Sequence, residues 1–138
     1  MLTLLVTFST RNGEYQSHVL RRRSLPASEQ AHTRMKTFLT REYATPVLVI
    51  LSIQVLPETH PHHTRGMCWY EVSWLGLNAI GACSGDLSMT TRYHVTTIAD
   101  IRLMEETIRA KNKLSHLAIL QIRPIRTPRR RALSSTSM

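Results

Sequence analysis

A helix-and-strand segment occurs twice in this chain, and the repeat limits the folds that the chain can form. Residues 31–53 and 100–122 align without a gap at an offset of 69 positions, with five identities in 23 positions. The identical pairs are Met35 and Met104, Leu48 and Leu117, Ile50 and Ile119, Leu51 and Leu120, and Ile53 and Ile122. Because each copy follows two stretches typical of strands, the pattern predicts an α+β fold of two related ββαβ halves, as an internal duplication would produce.

The breaks in this pattern predict where the units begin and end. Residues 1–57 are expected to form the first ββαβ unit, 58–66 a His-rich linker, 67–123 the second ββαβ unit and 124–138 a basic, disordered tail. Neither half alone has enough partners to bury its apolar face. We therefore expect two three-stranded sheets, antiparallel or mixed, each with one helix on a face, to share a core.

The first half opens with a strong signal for a β-hairpin. Two alternating runs flank Asn12-Gly13, a dipeptide favoured at the central positions of a type I′ turn. The alternation predicts one apolar face, made by Leu4, Val6, Phe8, Tyr15 and Val19. The later run VLVILSIQVL, residues 47–56, is apolar on both faces at its start, which is typical of a buried strand in the middle of a sheet.

Both helices are indicated by an apolar stripe and by residues that start or end a helix. Ser24 or Ser28 is suited to cap the first helix, and Pro46 ends it. Thr97 and Asp100 resemble a capping box for the second. The two stripes are Ala31, Met35, Phe38, Leu39 and Tyr43, and then Ile98, Ile101, Met104 and Ile108. On the opposite side of the second helix, we expect i,i+4 ion pairs from Arg102 to Glu106 and from Glu105 to Arg109.

Net charge indicates which partners the chain suits. The chain carries +9, and its 15 Arg residues far outnumber its 3 Lys residues. Guanidinium groups present a fixed fork of donors, which favours phosphate, so a non-enzymatic nucleic-acid-binding protein is the first functional hypothesis. A surface that only keeps the protein in solution is the simpler alternative. The candidate nucleic-acid-binding residues are Arg21, Arg22, Arg23, Arg123, Arg126, Arg129, Arg130 and Arg131.

Two tryptophans favour a second functional hypothesis, contact with another protein. Trp69 and Trp74 lie five positions apart, and an odd spacing puts residues on opposite sides of a regular strand. One of them is then expected to be exposed as a partner-binding residue, unless a bulge turns both inward. An exposed Trp beside unpaired strand edges suits a homodimer or a host-protein target.

One short string resembles a catalytic motif. Gly81-Ala82-Cys83-Ser84-Gly85 has the spacing of a nucleophile elbow with Cys83 as nucleophile. That motif needs a helix directly after the nucleophile, whereas residues 86–95 are typical of a strand. A Gly-rich hairpin loop is the favoured interpretation, so we predict no catalytic residue, no cofactor and no enzyme.

A histidine cluster is the remaining candidate for chemistry. His60, His62 and His63, with Cys68 nearby, are residue types that bind zinc, but they lack the paired spacing of a closed site. A solvated linker without metal is favoured. With only two cysteines, no basic leader and no apolar run long enough for a span, we expect a cytoplasmic protein that does not enter the membrane.

Part of the chain resembles a family. The stretch SEQAHTRMKTFLTREYATPVLVI, residues 28–50, follows a short hairpin and is similar to the small Icd/Ash-like proteins of prophages and phage satellites. THPHHTRG, residues 59–66, is similar to a segment in some of them. The resemblance covers about residues 4–65. It implies the accessory gene of a mobile element that acts on host or rival-phage machinery, and it assigns no functional residue.

Overall fold

Two three-stranded antiparallel sheets and two helices make up the fold, which confirms the predicted class. The computed structural model describes residues 1–62 and 66–126. Sheet 1 has the order β2-β1-β3 and sheet 2 the order β5-β4-β6. The elements are β1 (Leu2–Thr10), β2 (Tyr15–Arg22), α1 (Glu29–Tyr43), β3 (Val47–Leu56), β4 (Cys68–Leu77), β5 (Ala82–Thr91), α2 (Ile98–Asn112) and β6 (His116–Ile125).

The two halves repeat one another down to single residues. Both helices and the strands after them begin and end 69 positions apart, and so do the capping residues Ser28 and Thr97. Val6 pairs with His18 and Ile53, whereas Val72, which lies 66 positions later, pairs with Leu87 and Ile122. The first strands are thus offset by 66 and all later elements by 69. The second half differs by three extra residues in its hairpin.

A β-bulge recurs at the same place in both sheets. The pairing of β1 with β3 shifts between Thr7 and Phe8 and leaves Leu51 without a partner residue. The pairing of β4 with β6 shifts between Ser73 and Trp74 and leaves Leu120 without one. Bulges bend a strand and are kept as features of a fold. The shared bulge therefore strengthens the structural repeat well beyond the five sequence identities.

The first hairpin differs from its prediction in turn type and in pairing. Thr10 N–H donates to Glu14 O, so the loop has three residues, and only Gly13 has a positive φ, of 79°. This is the three-residue hairpin loop that ends in a left-handed residue, and not a type I′ turn. The extra residue reverses the side to which β2 side chains point, so Tyr15 and Val19 pair with Ser9 and Leu5. The partners of Leu4, Val6 and Phe8 are Leu20, His18 and Gln16.

Capping interactions begin both helices, as the sequence predicts. The Ser28 hydroxyl accepts from Ala31 N–H at 3.1 Å. Thr97 and Asp100 form the full capping box, in which each side chain accepts from the other residue's backbone N–H. The apolar stripes face inward, with four fully or nearly buried anchors: Met35, Leu39, Met104 and Ile108. Local sequence therefore determines where the helices begin and which side they bury.

The halves share a core, as predicted, although unequally. One cluster lies between α1 and sheet 1 and consists of first-half residues, among them Leu4, Val6, Phe8, Leu20, Met35 and Leu39. The larger cluster joins α2 and sheet 2, and it also includes Leu5 and Leu56 from the other face of sheet 1. We call that other face, which points away from α1, the back face of sheet 1.

Strand β6 lies with its outer edge on the back face of sheet 1, where side chains pair with its backbone. Near its start, Ile119 O accepts from Ser17 Oγ at 2.9 Å and from the Thr7 hydroxyl. Further along, Leu120 O accepts from Ser52 Oγ at 2.9 Å. Gln54 bonds both the N–H and the C=O of Ile122. These bonds satisfy an edge that would otherwise be exposed, and they hold the halves together.

A polar network beside β6 forms the second connection between the halves. Arg102 on α2 donates to Ser17 O and to Tyr43 Oη, both at 2.8 Å. It also pairs with Glu105 at 2.7 Å, and the second carboxylate oxygen of Glu105 accepts from Ile119 N–H. Tyr43 Oη lies 3.0 Å from Ser17 O, to which it donates, and 2.9 Å from His18 Nδ1, with which it also forms a hydrogen bond.

This network shifts the pKa values of its members. Burial works against the charged Arg102 guanidinium, but Glu105 and Tyr43 more than offset it and raise the Arg102 pKa. Burial raises the pKa of Tyr43. Burial lowers the pKa of His18 below its ordinary value of 6.5, with Arg102 and Arg22 adding to the effect against an opposing contribution from Glu42. The network is thus built for a cationic Arg102 and a neutral His18.

Three further expectations need correction. Strand β3 is not in the middle of a sheet: it lies at the edge of sheet 1 and pairs only with β1 within the described residues. The ion pairs of α2 are Arg102–Glu105 and Glu106–Arg109, at spacing i,i+3, because Glu105 points inward. Strand β6 continues through Pro124 to Ile125, so the second unit runs two residues past its expected end.

We expect Arg102→Ala to lower the free energy of unfolding by about 2 kcal/mol, because it strands the buried Glu105 carboxylate and removes three donated bonds. Arg109→Ala is the matched control, since Arg109 makes the same i,i+3 pair with Glu106 on the exposed side of α2. We expect that change to cost about 0.3 kcal/mol. Urea denaturation measures both values, and equal losses would contradict this role of the network.

We expect the free energy of unfolding to decrease as the pH falls below about 6.5. The lowered pKa of His18 means that the unfolded chain takes up a proton there before the folded chain does. His18→Asn keeps a polar group near the Nδ1 position but does not titrate. In urea denaturation at pH 7.5 and 5.5, the variant should lose less stability than the wild type. An identical loss in both proteins would assign the pH dependence to other groups.

Candidate nucleic-acid interface

The arginines predicted to bind nucleic acid lie at several separate positions on the surface. Arg21 is paired with Thr3, whose side chain is buried on the back face of sheet 1, so alternation directs Arg21 to that side and Arg22 to the α1 side. Arg23 is exposed in the loop that follows β2. In the second half, Arg123 pairs with Glu71 at 3.0 Å, and Arg126 is exposed at the end of the described residues. The structure does not describe Arg129, Arg130 and Arg131. The tail that contains them was predicted to be disordered, and that prediction is not tested.

Arg22 is the most firmly placed of these side chains. Its guanidinium carbon lies 5.0 Å from the centre of the Phe38 ring on α1. One of its nitrogens donates to Arg21 O at 2.8 Å. A cation held over an aromatic ring loses less side-chain entropy on binding an anion than a free one does. The Arg22 guanidinium is therefore preorganised beside α1.

A surface cavity of about 530 Å³ opens next to this guanidinium. Its walls are the connection from β2 to α1 and the first turns of α1. Two hydroxyls, Ser24 and Ser28, line it together with Arg34 of α1. The Ser28 hydroxyl is already engaged, because it caps the helix. We call Arg22, Ser24, Ser28 and Arg34 the arginine cleft.

Electrostatics favour an anion in the arginine cleft. Neither Arg22 nor Arg34 forms an ion pair in the part of the chain that the structure describes. Residues 1–57 carry seven basic and three acidic side chains, against seven and five for residues 67–126. The acidic residue nearest to the cleft in sequence is Glu29, in the first turn of α1. The first half therefore has the greater excess of positive charge, and the cleft holds two of its uncompensated cations.

Arg34 was missing from the sequence-based candidates. It lies between Ala31 and Met35 of the apolar stripe, and an isolated basic residue next to such a stripe normally points into solvent. Its relevance depends on the path of residues 23–28, which lead into the helix along the same side. No local pattern encodes that path.

The tryptophans are placed as odd spacing on a regular strand predicts. Trp74 is buried in the larger core cluster, and Trp69 is half-buried on the other face of sheet 2. There Trp69 is paired with Thr90 on one side and with Ile125 on the other. Only Trp69 remains available as a candidate contact for another protein.

The Gly-rich string is part of a strand. Ala82 begins β5, so Cys83 and Ser84 lie within the sheet, and no helix follows them until Ile98. Gly85 is paired with Trp74, and a Cβ at Gly85 would lie 2.5 Å from Cζ2 of the Trp74 indole. The glycine thus makes room for the buried ring. The predicted Gly-rich loop is shorter than expected, and the geometry of a nucleophile elbow is not formed at Cys83.

The histidine cluster is more ordered than a solvated linker. His60 is buried, its Nε2–H donates to Trp69 O at 2.5 Å, and its Nδ1 accepts from His62 N–H at 2.9 Å. His60 N–H donates to His94 Nδ1 at 2.8 Å. Both ring nitrogens of His60 are therefore used by the backbone, so it would lose bonds by binding a metal. His63 lies outside the described residues.

Cys68, the other residue considered for zinc, is fully buried, with Sγ 3.8 Å from His94 Nδ1. Burial raises the pKa of the Cys68 thiol, which disfavours the thiolate that binds metals. Among the described residues, no three His, Cys, Asp or Glu side chains come close enough together to hold a metal ion. The bonds of His60 thus hold the described start of the connection, up to His62, against sheet 2.

A scan against models of protein families and a search of the curated proteins both find no match to this chain. Within the described residues, neither helix is long and apolar enough to cross a membrane.

We expect Gly85→Ala to lower the free energy of unfolding by about 2 kcal/mol, because the added methyl group overlaps the buried Trp74 ring. Ser84→Ala, at an exposed neighbour on β5, is the control, with an expected change within about 0.5 kcal/mol. In the double variant Gly85→Ala, Trp74→Leu, the penalty for the alanine should largely disappear. A penalty that persists there would contradict the proposed contact.

Proposed function

We propose that this protein is a non-enzymatic binding protein that uses the arginine cleft to hold the phosphate backbone of a nucleic acid. The observation that carries the proposal is the pair of guanidinium groups, Arg22 and Arg34, on a cavity of about 530 Å³ with neither group in an ion pair within the described residues. Arg22 is already oriented by Phe38.

The chemistry of the cleft supports phosphate rather than a base as the group that is bound. Its polar members are guanidinium and hydroxyl groups, which donate to phosphate oxygens. Aromatic rings that stack on bases are absent from its lining. We therefore expect binding that depends strongly on salt and weakly on sequence. The exposed Arg23, in the loop that follows β2, would extend the contact along the backbone, whereas Arg21 points to the back face of sheet 1.

The resemblance of residues 4–65 to Icd/Ash-like proteins adds an origin to this proposal. A mobile-element accessory factor that binds nucleic acid or a nucleoprotein complex would act on host or rival-phage machinery. The resemblance supports this setting only, since it carries no functional residues to this chain.

One observation supports a second candidate function. Trp69 is half-buried on the face of sheet 2 that points away from α2, beside Ile125 and near the ion pair of Glu71 and Arg123. A Trp with charged neighbours is typical of a contact residue for a protein partner. Inhibition of a host or phage protein through this face is the alternative to nucleic-acid binding.

We expect Arg22→Gln, Arg34→Gln to weaken binding to a 20-nucleotide single strand at least tenfold and to reduce the salt dependence by about two phosphate contacts. The matched control is Arg41→Gln, Arg92→Gln, which removes the same charge from two exposed sites outside the cleft. Fluorescence anisotropy with labelled DNA and RNA, at salt concentrations from about 50 to 200 mM, measures both the affinity and its salt dependence.

Three outcomes decide the proposal. Loss of affinity in the cleft variant alone supports it, and a preference for DNA or RNA then identifies the ligand. Equal losses in both double variants would show that only net charge matters. Absence of binding by the wild type at low salt would overturn the proposal and favour a protein partner at the Trp69 face.

A further inference from the structure

Strand β3 presents an open, uncharged sheet edge. It pairs with β1 on one side, and no other strand in the described residues pairs with its outer side. Its ten residues, VLVILSIQVL, include no charged side chain and no proline. Four apolar side chains on it are exposed: Leu48 by 49%, Val49 by 50%, Leu51 by 40% and Val55 by 39%. Natural proteins protect such an edge with lysine, proline, β-bulges or a covering element, and of these β3 has only the bulges at Leu48 and Leu51.

The equivalent strand in the second half shows what this edge looks like when it is covered. Leu117 and Ala118 of β6 occupy the positions of Leu48 and Val49, and they are 6% and 0% exposed. The backbone of β6 is bonded by side chains of sheet 1 on the side away from β4. The fold therefore buries this position once and leaves its repeat open.

The other free edges are protected by means that β3 lacks. Strand β2 ends in Arg21 and Arg22, and strand β5 carries Asp86 and the flexible Gly85. Charges on an edge oppose pairing with another strand. Of the four edge strands in the two sheets, β3 alone is apolar, uncharged and uncovered within the described residues.

We propose that a second copy of this chain covers β3, with two β3 strands paired antiparallel across a two-fold axis. A strand without charge is compatible with itself, because no position opposes a like charge in its own copy. The pairing would join two copies of sheet 1 into one six-stranded sheet of order β2-β1-β3-β3-β1-β2. Because bulges interrupt β3 at Leu48 and Leu51, the ten residues on each side supply about six backbone hydrogen bonds.

The same strand already takes part in the interface between the halves. Ser52 and Gln54 of β3 bond the backbone of β6 from the back face of sheet 1, so the two-fold contact would lie next to an existing interface. A contact made by one strand from each copy buries less surface than a typical obligate dimer. We therefore expect a dissociation constant on the order of 10 µM, or roughly 7 kcal/mol of association free energy.

The proposal is tested by sedimentation equilibrium of the full chain from about 1 to 300 µM, a range that brackets the expected constant. The protein is nuclease-treated and kept reduced, so that neither nucleic acid nor a Cys83 disulfide joins two copies. The wild type should pass from monomer to dimer in this range. Leu51→Lys should weaken the association at least tenfold, because the charge would be buried at the paired edge. Leu103→Lys, on the exposed side of α2 at 68% exposure, should leave it unchanged.

Amide hydrogen exchange of the wild type gives an independent readout that needs no variant. Between low and high concentration, amides of β3 should become protected while those of β2 and β5 do not. A wild type that stays monomeric at 300 µM, an equal effect of both lysine variants, or growth beyond the dimer would each overturn the proposal. Because these measurements contain no nucleic acid, their failure would leave the arginine cleft unaffected.

Discussion

Backbone groups at the outer edge of β6 are satisfied by side chains rather than by another strand. Ser17, Thr7 and Ser52 donate to its carbonyls, and Gln54 bonds one residue twice. An edge buried without these partners would cost about 1–3 kcal/mol for each unpaired group. The back face of sheet 1 must therefore be both polar enough to bond β6 and apolar enough, through Leu5 and Leu56, to join the larger core. The position of the second half relative to the first follows from this requirement.

The structural repeat makes the two halves comparable, and they differ most at the edge strand. The sequence suggested that the first copy, VLVILSIQVL, stays buried and that the second, with Arg123 and Pro124, stops pairing. Both expectations are wrong. Strand β3 is the open edge of sheet 1, while β6 is buried and stays paired through Pro124. Hydrophobicity of a strand indicates that it needs a cover, but it does not indicate whether the same chain supplies it.

Features determined by neighbouring residues were predictable from the sequence. Helix faces, the Ser28 and Thr97 caps and the order of elements depend on spacings of a few residues. Contacts over long separations were not predictable. One extra residue in the first hairpin loop moved Tyr15 and Val19 to the other face, and the burial of Glu105 changed both ion pairs of α2. His60 is held by Trp69 and by His94, 34 positions later, which accepts from its backbone. The arginine cleft contains one residue of each kind. Arg22 was predicted from a run of basic residues, whereas the presence of Arg34 in the cleft depends on the path of the connection from β2 to α1.

The cleft and the open edge lie at opposite sides of sheet 1, and this separation has a consequence for binding. Arg22 is on β2, the outer strand, and β3 is the strand that would pair with its copy. In a six-stranded sheet the two outer strands are five spacings, or about 24 Å, apart. Two arginine clefts would then sit at the two ends of one continuous sheet, and a short oligonucleotide would reach only one of them. A longer strand would engage both, with the second contact made at a high effective concentration. If the arginine cleft binds phosphate as proposed, pairing through β3 would favour extended nucleic acid over short fragments.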